Sequence, residues 1–262
     1  MLKSLLTFRT NLPRKTEITL GIAGFTLFLA AWHLTAISGA IRPEFLPTPL
    51  AVAEAFFRLF TERDFANDIF ISVGRVWFAF ALSVAMAIPL GLLMSTYRAV
   101  GSILEPFIDF VRYLPVPALV PLLVIWFGVG EASKIAVLWM GTFFQLILLV
   151  ADDTKRVPTE YVESGQTLGA SNGQIMRDII IPAALPNMFD NLRITLGWCW
   201  TYLIVAEIVA ANSGIGHVIW SLRRFVKTPE VMAGIIAIGI IGLLTDQAFR
   251  FAHKRFFSYL RR

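Results

Sequence analysis

The chain has 262 residues, of which 56% are hydrophobic, and its mean hydropathy is +0.69. Soluble domains are close to half apolar, so this excess, arranged in long blocks, indicates an integral membrane protein. The net charge of +5 does not imply nucleic acid, because much of it lies at the two ends, where the positive-inside rule explains it. Cys199 is the single cysteine, which excludes an internal disulfide.

The N-terminus is basic and interrupted by proline, and the apolar block after it is too long for the hydrophobic region of a cleavable signal peptide. We expect residues 1–17 to be a cytoplasmic segment and residues 18–262 to form one transmembrane domain. The first predicted span is 18–40. An amphipathic helix on the outer membrane surface is expected next, within residues 51–64, because its apolar residues fall on one face: Val52, Ala55, Phe56, Leu59 and Phe60.

Five more apolar blocks predict spans, and the expected fold class is an all-α integral membrane protein with six transmembrane helices. These blocks are 70–96, 102–127, 131–151, 185–211 and 230–252. The third span holds Pro115, Pro117 and Pro121, and we expect these three prolines to prevent a regular helix. Broken backbone is tolerated in a bilayer where protein or a water-filled cavity satisfies it, so we expect the break to face the interior.

Residues 152–182, the interspan loop, separate the fourth and fifth spans. Their pattern predicts two short helices joined by a bend. Thr159 is expected to cap the first helix and Gly169 to end it. Ser171 and Gln174 are spaced as a capping box for the second, and Pro182 is expected to end that helix. Helices this short cannot cross the membrane, so they must lie at its face, where another protein could bind them.

The interspan loop resembles the cytoplasmic coupling loop of ABC importer permeases, whose motif is Glu-Ala-Ala, three residues, Gly, nine residues and Ile-x-Leu-Pro. The matching residues here are Glu163-Ser164-Gly165, Gly169 and Ile179-Ile180-Ile181-Pro182. Every spacing fits, and the departures are small or apolar exchanges. The resemblance implies that the residues docking the ATPase are Glu163, Ser164, Gly165, Thr167, Leu168, Gly169, Ala170 and Pro182.

Most of the chain from Leu46 onward is similar to the type I, binding-protein-dependent permeases that import taurine, alkanesulfonates, nitrate or bicarbonate. The segments that carry this resemblance are 46–49, 120–134, 168–171, 179–200 and 205–216. It implies a bacterial-type cytoplasmic membrane, a second permease copy in a homodimer, two ABC ATPase subunits, an external solute-binding protein and a small-molecule substrate. Residues 143–153 depart from many relatives, which leaves the exact substrate open.

No Walker loop, nucleophile elbow or metal-ligand spacing is present in the sequence. We therefore predict a transport subunit rather than an enzyme, with no metal site and no cofactor of its own. ATP hydrolysis would reside in a partner.

Span five offers residues for a translocation path. Arg193, Trp200 and Glu207 are spaced by seven and share one helix face, and ionisable residues inside a membrane usually face the bundle interior or a cavity. Two alternatives remain open, because Arg193 could snorkel to the surface and Glu207 could anchor the outer gate. For Gln145 a helix–helix hydrogen bond is as plausible as a solute contact. The candidate path residues are Pro115, Pro117, Trp126, Gln145, Trp200 and Glu207.

The distribution of Lys and Arg predicts the orientation, with both termini and the interspan loop in the cytoplasm. The larger group then lies inside: Lys3, Arg9, Arg14, Lys15, Arg98, Lys155, Arg156, Arg177, Arg250, Lys254, Arg255, Arg261 and Arg262. The smaller group lies outside: Arg42, Arg58, Arg63, Arg223, Arg224 and Lys227.

Three alternatives to this function stay open. The same type of importer could carry a small nitrogenous compound or a vitamin precursor. A secondary transporter would be expected to show inverted repeats and paired broken helices, and only the third span is clearly broken. A membrane scaffold would need no polar path. Whether an ATPase co-purifies, and whether transport needs ATP hydrolysis, separates an importer from the other two.

Overall fold

The computed structural model describes residues 12–210 and 212–258, and within these ranges the chain is helical, with no β-strand. The α-helices are α1 (Arg14–Ile37), α2 (Pro49–Glu62), α3 (Phe65–Thr96), α4 (Arg98–Arg112), α5 (Val116–Phe127), α6 (Glu131–Lys155), α7 (Thr159–Thr167), α8 (Asn172–Ile175), α9 (Ile181–Ala210), α10 (Ile215–Arg223) and α11 (Thr228–Phe256). A π-helical turn, Met176–Ile180, joins α8 to α9.

Among the described residues, five helical segments are long and apolar enough to cross a membrane: α1, α3, α6, the continuous segment Asn172–Val209, and α11. The sixth span is the pair α4 and α5, which together pass the same test but meet at an angle of 102°. Counting this bent pair as one span confirms the six-span prediction. The predicted segment 1–17 falls mostly on residues 1–11, which lie outside the described residues.

The prolines of the third span act differently from what the sequence predicts. Pro115 lies at the break between α4 and α5, as expected. The expectation that all three prolines disrupt the helix is wrong, because Pro117 and Pro121 are both inside α5. Pro117 is in the first turn, where no backbone N–H is needed for an intrahelical bond, and Pro121 removes only one such bond.

The core of the bundle is formed by α3, α6 and α9, whose buried side chains pack together along their lengths. Gly91 of α3 lies so close to α6 that an added Cβ would be 2.8 Å from the carbonyl oxygen of Ile147. The hydroxyls of Ser83 and Thr142 are 2.8 Å apart and fully buried between the same two helices, which is the helix–helix bonding expected of polar residues in a membrane.

The helices α2, α10 and α11 pack together at the end of the bundle opposite the interspan loop, here called the far end. The amphipathic pattern of α2 is confirmed in part, since Val52, Ala55 and Leu59 are buried. They pack against α10 and α11 rather than against the membrane surface, and Phe60 is exposed. By contrast, α1 lies on the outside of the bundle, and Ala36 is its only buried residue. A helix with this much exposed apolar surface is suited to contact lipid.

The helix expected to end before Pro182 does not end there, so that prediction is wrong. The amide of Ile181 donates to the carbonyl of Met176, five residues back, in the π-helical turn. This turn lies just before Pro182, which has no N–H to donate. The helix therefore continues from α8 into α9. Thr159 is not the cap of α7 either, because Pro158 occupies that position.

Candidate functional sites

The bend of the interspan loop is formed by two consecutive capping motifs. The amide of Gly169 donates to Gln166 at 2.9 Å and that of Ala170 to Gly165 at 3.0 Å, which is a Schellman ending for α7. Gly169 has φ +80°, a conformation that glycine adopts without a Cβ clash. The capping box of Ser171 and Gln174 then begins α8, as predicted.

A close helix contact holds the two halves of this loop together. Gly165 is buried, and an added Cβ would be 2.6 Å from Cδ1 of Ile179 in the π-helical turn. Ile175, one turn earlier, is also buried under α7. The missing side chain at Gly165 therefore lets α7 lie directly on the π-helical turn that leads into α9.

The outer surface of α7 is free in a single chain. Leu168 is 88% exposed, and Tyr161 is also exposed. The side chains of Ser164 and Thr167 donate to carbonyls of their own helix, at Glu160 and Glu163. An amphipathic helix with an exposed leucine at its end is the kind of element that fills a groove on another protein.

A cluster of charges joins three spans at the far end, and we call Arg75, Glu131, Lys134 and Glu207 the charge cluster. Glu131 is exposed and the other three are buried. Arg75 of α3 binds both carboxylate oxygens of Glu131, at 2.6 and 2.7 Å, and donates to Oε1 of Glu207 at 2.7 Å. Lys134 Nζ lies 2.8 Å from Glu131. Bidentate pairing of this kind is the strongest that a guanidinium and a carboxylate form.

Glu207 is fully buried and also binds the loop between α9 and α10. It accepts from the hydroxyl of Ser72 at 2.7 Å and from the amide of Gly216 at 2.7 Å. Gly214 lies against the same carboxylate, and a Cβ there would collide with it. With these neighbours Glu207 has no open surface toward a solute, which supports the alternative of an anchor at the far end rather than a path residue.

A cavity of about 270 Å³ lies where α4 bends into α5, and we call it the central cavity. Its polar and aromatic lining comes from α4, α6 and α9, and aliphatic residues of the bend and α5 complete it. Its lining includes Arg112, Phe144, Gln145, Trp198, Thr201 and Tyr202. The bend of the third span thus faces a partly polar cavity, as its broken backbone predicts.

The other predicted path residues do not gather in one place. Gln145 lines the central cavity, and Pro115 is exposed beside it at the bend. Pro117 and Trp126 are exposed on α5. Trp200 is packed in the core, because it lies on the α9 face that contacts α3 and α6. The remaining charge of that face, Arg193, lies 3.4 Å from Asp246 of α11, which also pairs with Arg250 at 2.8 Å.

Sequence reasoning missed two cations. Arg75 belongs to the charge cluster, and Arg112 lines the central cavity. The signal for Arg75 was present, since it is an ionisable residue in an apolar span, as Glu207 is. Trp198 and Tyr202 lie away from the α9 face that carries Glu207, so the helical spacing of that face does not include them. No local pattern shows that their part of α9 meets the bend of the third span.

Comparison with known proteins identifies the family. A model of the binding-protein-dependent transport system inner membrane component matches residues 84–258. The taurine transport system permease protein TauC of Escherichia coli (strain K12) is 34% identical over 93% of this chain and 90% of that protein. The bicarbonate transport system permease protein CmpB of Synechococcus elongatus is 28% identical over 94% of this chain and 88% of that protein.

The fold is shared with a solved transporter. An inward-facing structure of the MetNI methionine ABC transporter superposes with a TM-score of 0.62 over 75% of this chain and 96% of that chain, at 20% identity. Because the family model covers most of the chain and the relatives match nearly all of it, this chain belongs to the inner-membrane components of binding-protein-dependent transport systems, the permease subunits of ABC importers, whose ATPase is a separate subunit.

Proposed function

We propose that this permease imports a small oxyanion, an organic sulfonate such as taurine or else bicarbonate, through a path between two identical copies. The observation that carries the substrate class is the 34% identity to a taurine permease over 93% of the chain. A bicarbonate permease matches as much of the chain at lower identity. An external solute-binding protein delivers the solute, and two ATPase subunits supply the energy.

The interspan loop is the part that docks the ATPase, and it lies with both termini in the cytoplasm. The exposed surface of α7 and the exposed Leu168 support this assignment. The surplus of Lys and Arg on the loop side supports the orientation. Glu163 and Thr167 lie on the same exposed helix, where they can meet polar groups of the partner.

Force on the loop reaches the far end through one helix. Asn172–Val209 is continuous, so at 1.5 Å per residue a movement of α8 acts on Glu207 about 50 Å away. Pro182 and Pro186 lie in this segment beside the π-helical turn, which is the place where it can bend. The bound ATPase therefore moves α9 as a lever, and the copies open alternately to either side.

Reconstitution tests the function. The permease, its ATPase and its binding protein are placed in liposomes, and uptake of labelled taurine and of bicarbonate is measured with ATP on the ATPase side. We expect ATP-dependent uptake of one of these anions. Uptake of neither anion, or uptake that continues without ATP, would contradict the proposal.

The docking surface has its own test. Leu168→Asp should reduce ATPase co-purification without lowering the stability of the permease, because this side chain touches little of its own chain. Gln166→Asp, on the same exposed helix, is the matched control, since it introduces the same charge without removing an apolar contact. Equal ATPase binding by both variants and the parent would contradict the docking role.

A further inference from the structure

We propose that the central cavity is a substrate site within the permease and that Arg112 binds the anionic group of the solute there. The inference rests on the proposed function, and it names the side chain that recognises the solute. Arg112 is the one charged residue among the described residues that line this cavity. A lining with a single cation and no acid selects an anion.

The guanidinium of Arg112 has donors to spare. Its Nε lies 3.1 Å from Oδ1 of Asp109, and Nη2 donates to the hydroxyl of Tyr113 at 3.1 Å. A guanidinium carries five N–H donors in a planar fork, so Nη1 and the second hydrogen of Nη2 remain for a ligand. This fork matches the paired oxygens of an oxyanion, which a lysine would contact only as a point charge.

The rest of the lining complements the remainder of such a solute. Gln145, Trp198 and Tyr202 line the cavity, and within the described part of the chain their side chains form no hydrogen bond to protein. The rings of Phe144, Trp198 and Tyr202 offer apolar surface to a short carbon chain. A few polar groups on an aromatic and aliphatic wall are typical of small-molecule sites.

The size of the cavity limits the solute. At about 270 Å³ it is just below the range of roughly 300–1,000 Å³ that is usual for drug-sized ligands. A compact anion fits within this volume. The size therefore agrees with the charge of the lining in favouring a small oxyanion.

A polar stripe on α4 connects the cavity to the loop end of the bundle. Ser102, Glu105, Asp109 and Arg112 lie on one side of this helix, while exposed apolar residues occupy the other: Ile103, Phe107 and Phe110. Glu105 is 3.4 Å from Lys155 at the end of α6. Charged residues in a span face protein or water rather than lipid, so the stripe marks a hydrated route between the cavity and the loop end.

The test compares Arg112→Gln with Arg250→Gln, the same substitution outside the cavity, in the complete complex of permease, ATPase and binding protein. The probes are labelled taurine and bicarbonate, and the uptake rate is measured at saturating loaded binding protein. We expect Arg112→Gln to lower the rate at least about tenfold, because a charged hydrogen bond to the anion is lost. Arg250→Gln should keep the rate within about twofold of the parent, since this arginine does not line the cavity and its partner Asp246 keeps Arg193.

ATPase co-purification and ATP hydrolysis without solute should be unchanged in both variants. Parental uptake by Arg112→Gln, or an equal loss in both variants, overturns the inference and leaves the proposed function standing. An equal loss would mean that the loss of an arginine charge outside the cavity has the same effect, so Arg112 has no special role. A parental complex that takes up neither anion overturns the proposed function and this inference with it.

A second pair of variants decides the matter should Arg112→Gln fail to assemble. Gln145→Glu adds a negative charge to the lining without touching the pair of Arg112 and Asp109, and it should lower uptake of the anion at least about tenfold by repulsion and by neutralising Arg112. Gln145→Leu removes only a neutral hydrogen-bonding group and should cost less. A Gln145→Glu complex that imports at the parental rate overturns the inference.

Discussion

The guanidinium of Arg75 lies 2.7 Å from the carboxylate of Glu207, and both side chains are buried, Arg75 to 4% exposure and Glu207 to none. The same guanidinium binds Glu131 with two hydrogen bonds. At the far end, α3, α6 and α9 are therefore joined by one cation. Because α9 continues into α8, this joint and the interspan loop lie at opposite ends of a single helical segment.

Removing the shared cation should destabilise the permease strongly. Arg75→Met leaves Glu207 as an uncompensated buried charge, and we expect a loss of about 3–5 kcal/mol in the free energy of unfolding. The measurement is denaturant unfolding of the purified permease in detergent. Lys134→Met is the matched control, and about 1 kcal/mol is expected, because Glu131 is partly exposed and keeps its bonds to Arg75. Equal losses in the two variants would contradict this account of the cluster.

The variant Glu207→Gln distinguishes two roles for this residue, an anchor at the far end and a residue of the translocation path. The carboxamide has one acceptor oxygen in place of two, so it cannot accept from Gly216 and also from Ser72 and Arg75. We expect a loss of about 1–3 kcal/mol in unfolding free energy. Transport should fall in proportion to the amount of folded permease. A variant with parental stability and greatly reduced transport per folded complex would instead favour the path role.

Gly169→Val should disturb the bend of the interspan loop and leave the spans intact. At φ +80° a β-branched residue is strained by about 1–3 kcal/mol, although there is space around the position. We expect weaker ATPase attachment, or ATP hydrolysis that no longer depends on solute, with normal insertion into the membrane. Gly169→Asn should be milder, because asparagine tolerates this conformation. Normal transport by the valine variant would count against the coupling role of this loop.

The size of the side chain at Gly165 should control the contact between α7 and the π-helical turn. Gly165→Ala should retain ATPase coupling, since its Cβ meets only the flexible end of Ile179. Gly165→Leu should lift α7 from the base of α9 and reduce solute-stimulated ATP hydrolysis several-fold. Gly173→Ala, at an open position of α8, is the control and should behave as the parent does. Full coupling in the leucine variant would show that this contact is dispensable.

Cysteine labelling tests the orientation. Cys199 is buried, so introduced cysteines can be read separately. Arg177→Cys, in the interspan loop, should react with a membrane-impermeant reagent only in inside-out vesicles, and Arg224→Cys, after α10, only from the outer side. Both positions are exposed in the chain. The reverse pattern would place the interspan loop outside the cell and rule out its docking to a cytoplasmic ATPase.

Interactions between residues close in the sequence determined much of this fold, and the sequence therefore predicts that part. Apolar length specified the six spans, because backbone in lipid must satisfy its own hydrogen bonds. The bend at Gly169 and the capping box at Ser171 also followed from the sequence, since both motifs form within a few residues. The spacing around Glu163 was enough to indicate the family.

The tertiary structure decided how those elements connect and which of their side chains come into contact. Pro182 does not end a helix, because the backbone hydrogen bond in the π-helical turn before it spans five residues instead of four. No residue pattern predicts this change. Glu207 could be placed in an apolar span, but its partner Arg75 is 132 positions away. Arg112 enters a cavity only because α4 turns by 102° toward α6 and α9. Contacts between residues this far apart in the sequence depend on how whole helices pack. The sequence therefore identifies the charged residues, and only the packing of the helices decides which of them pair.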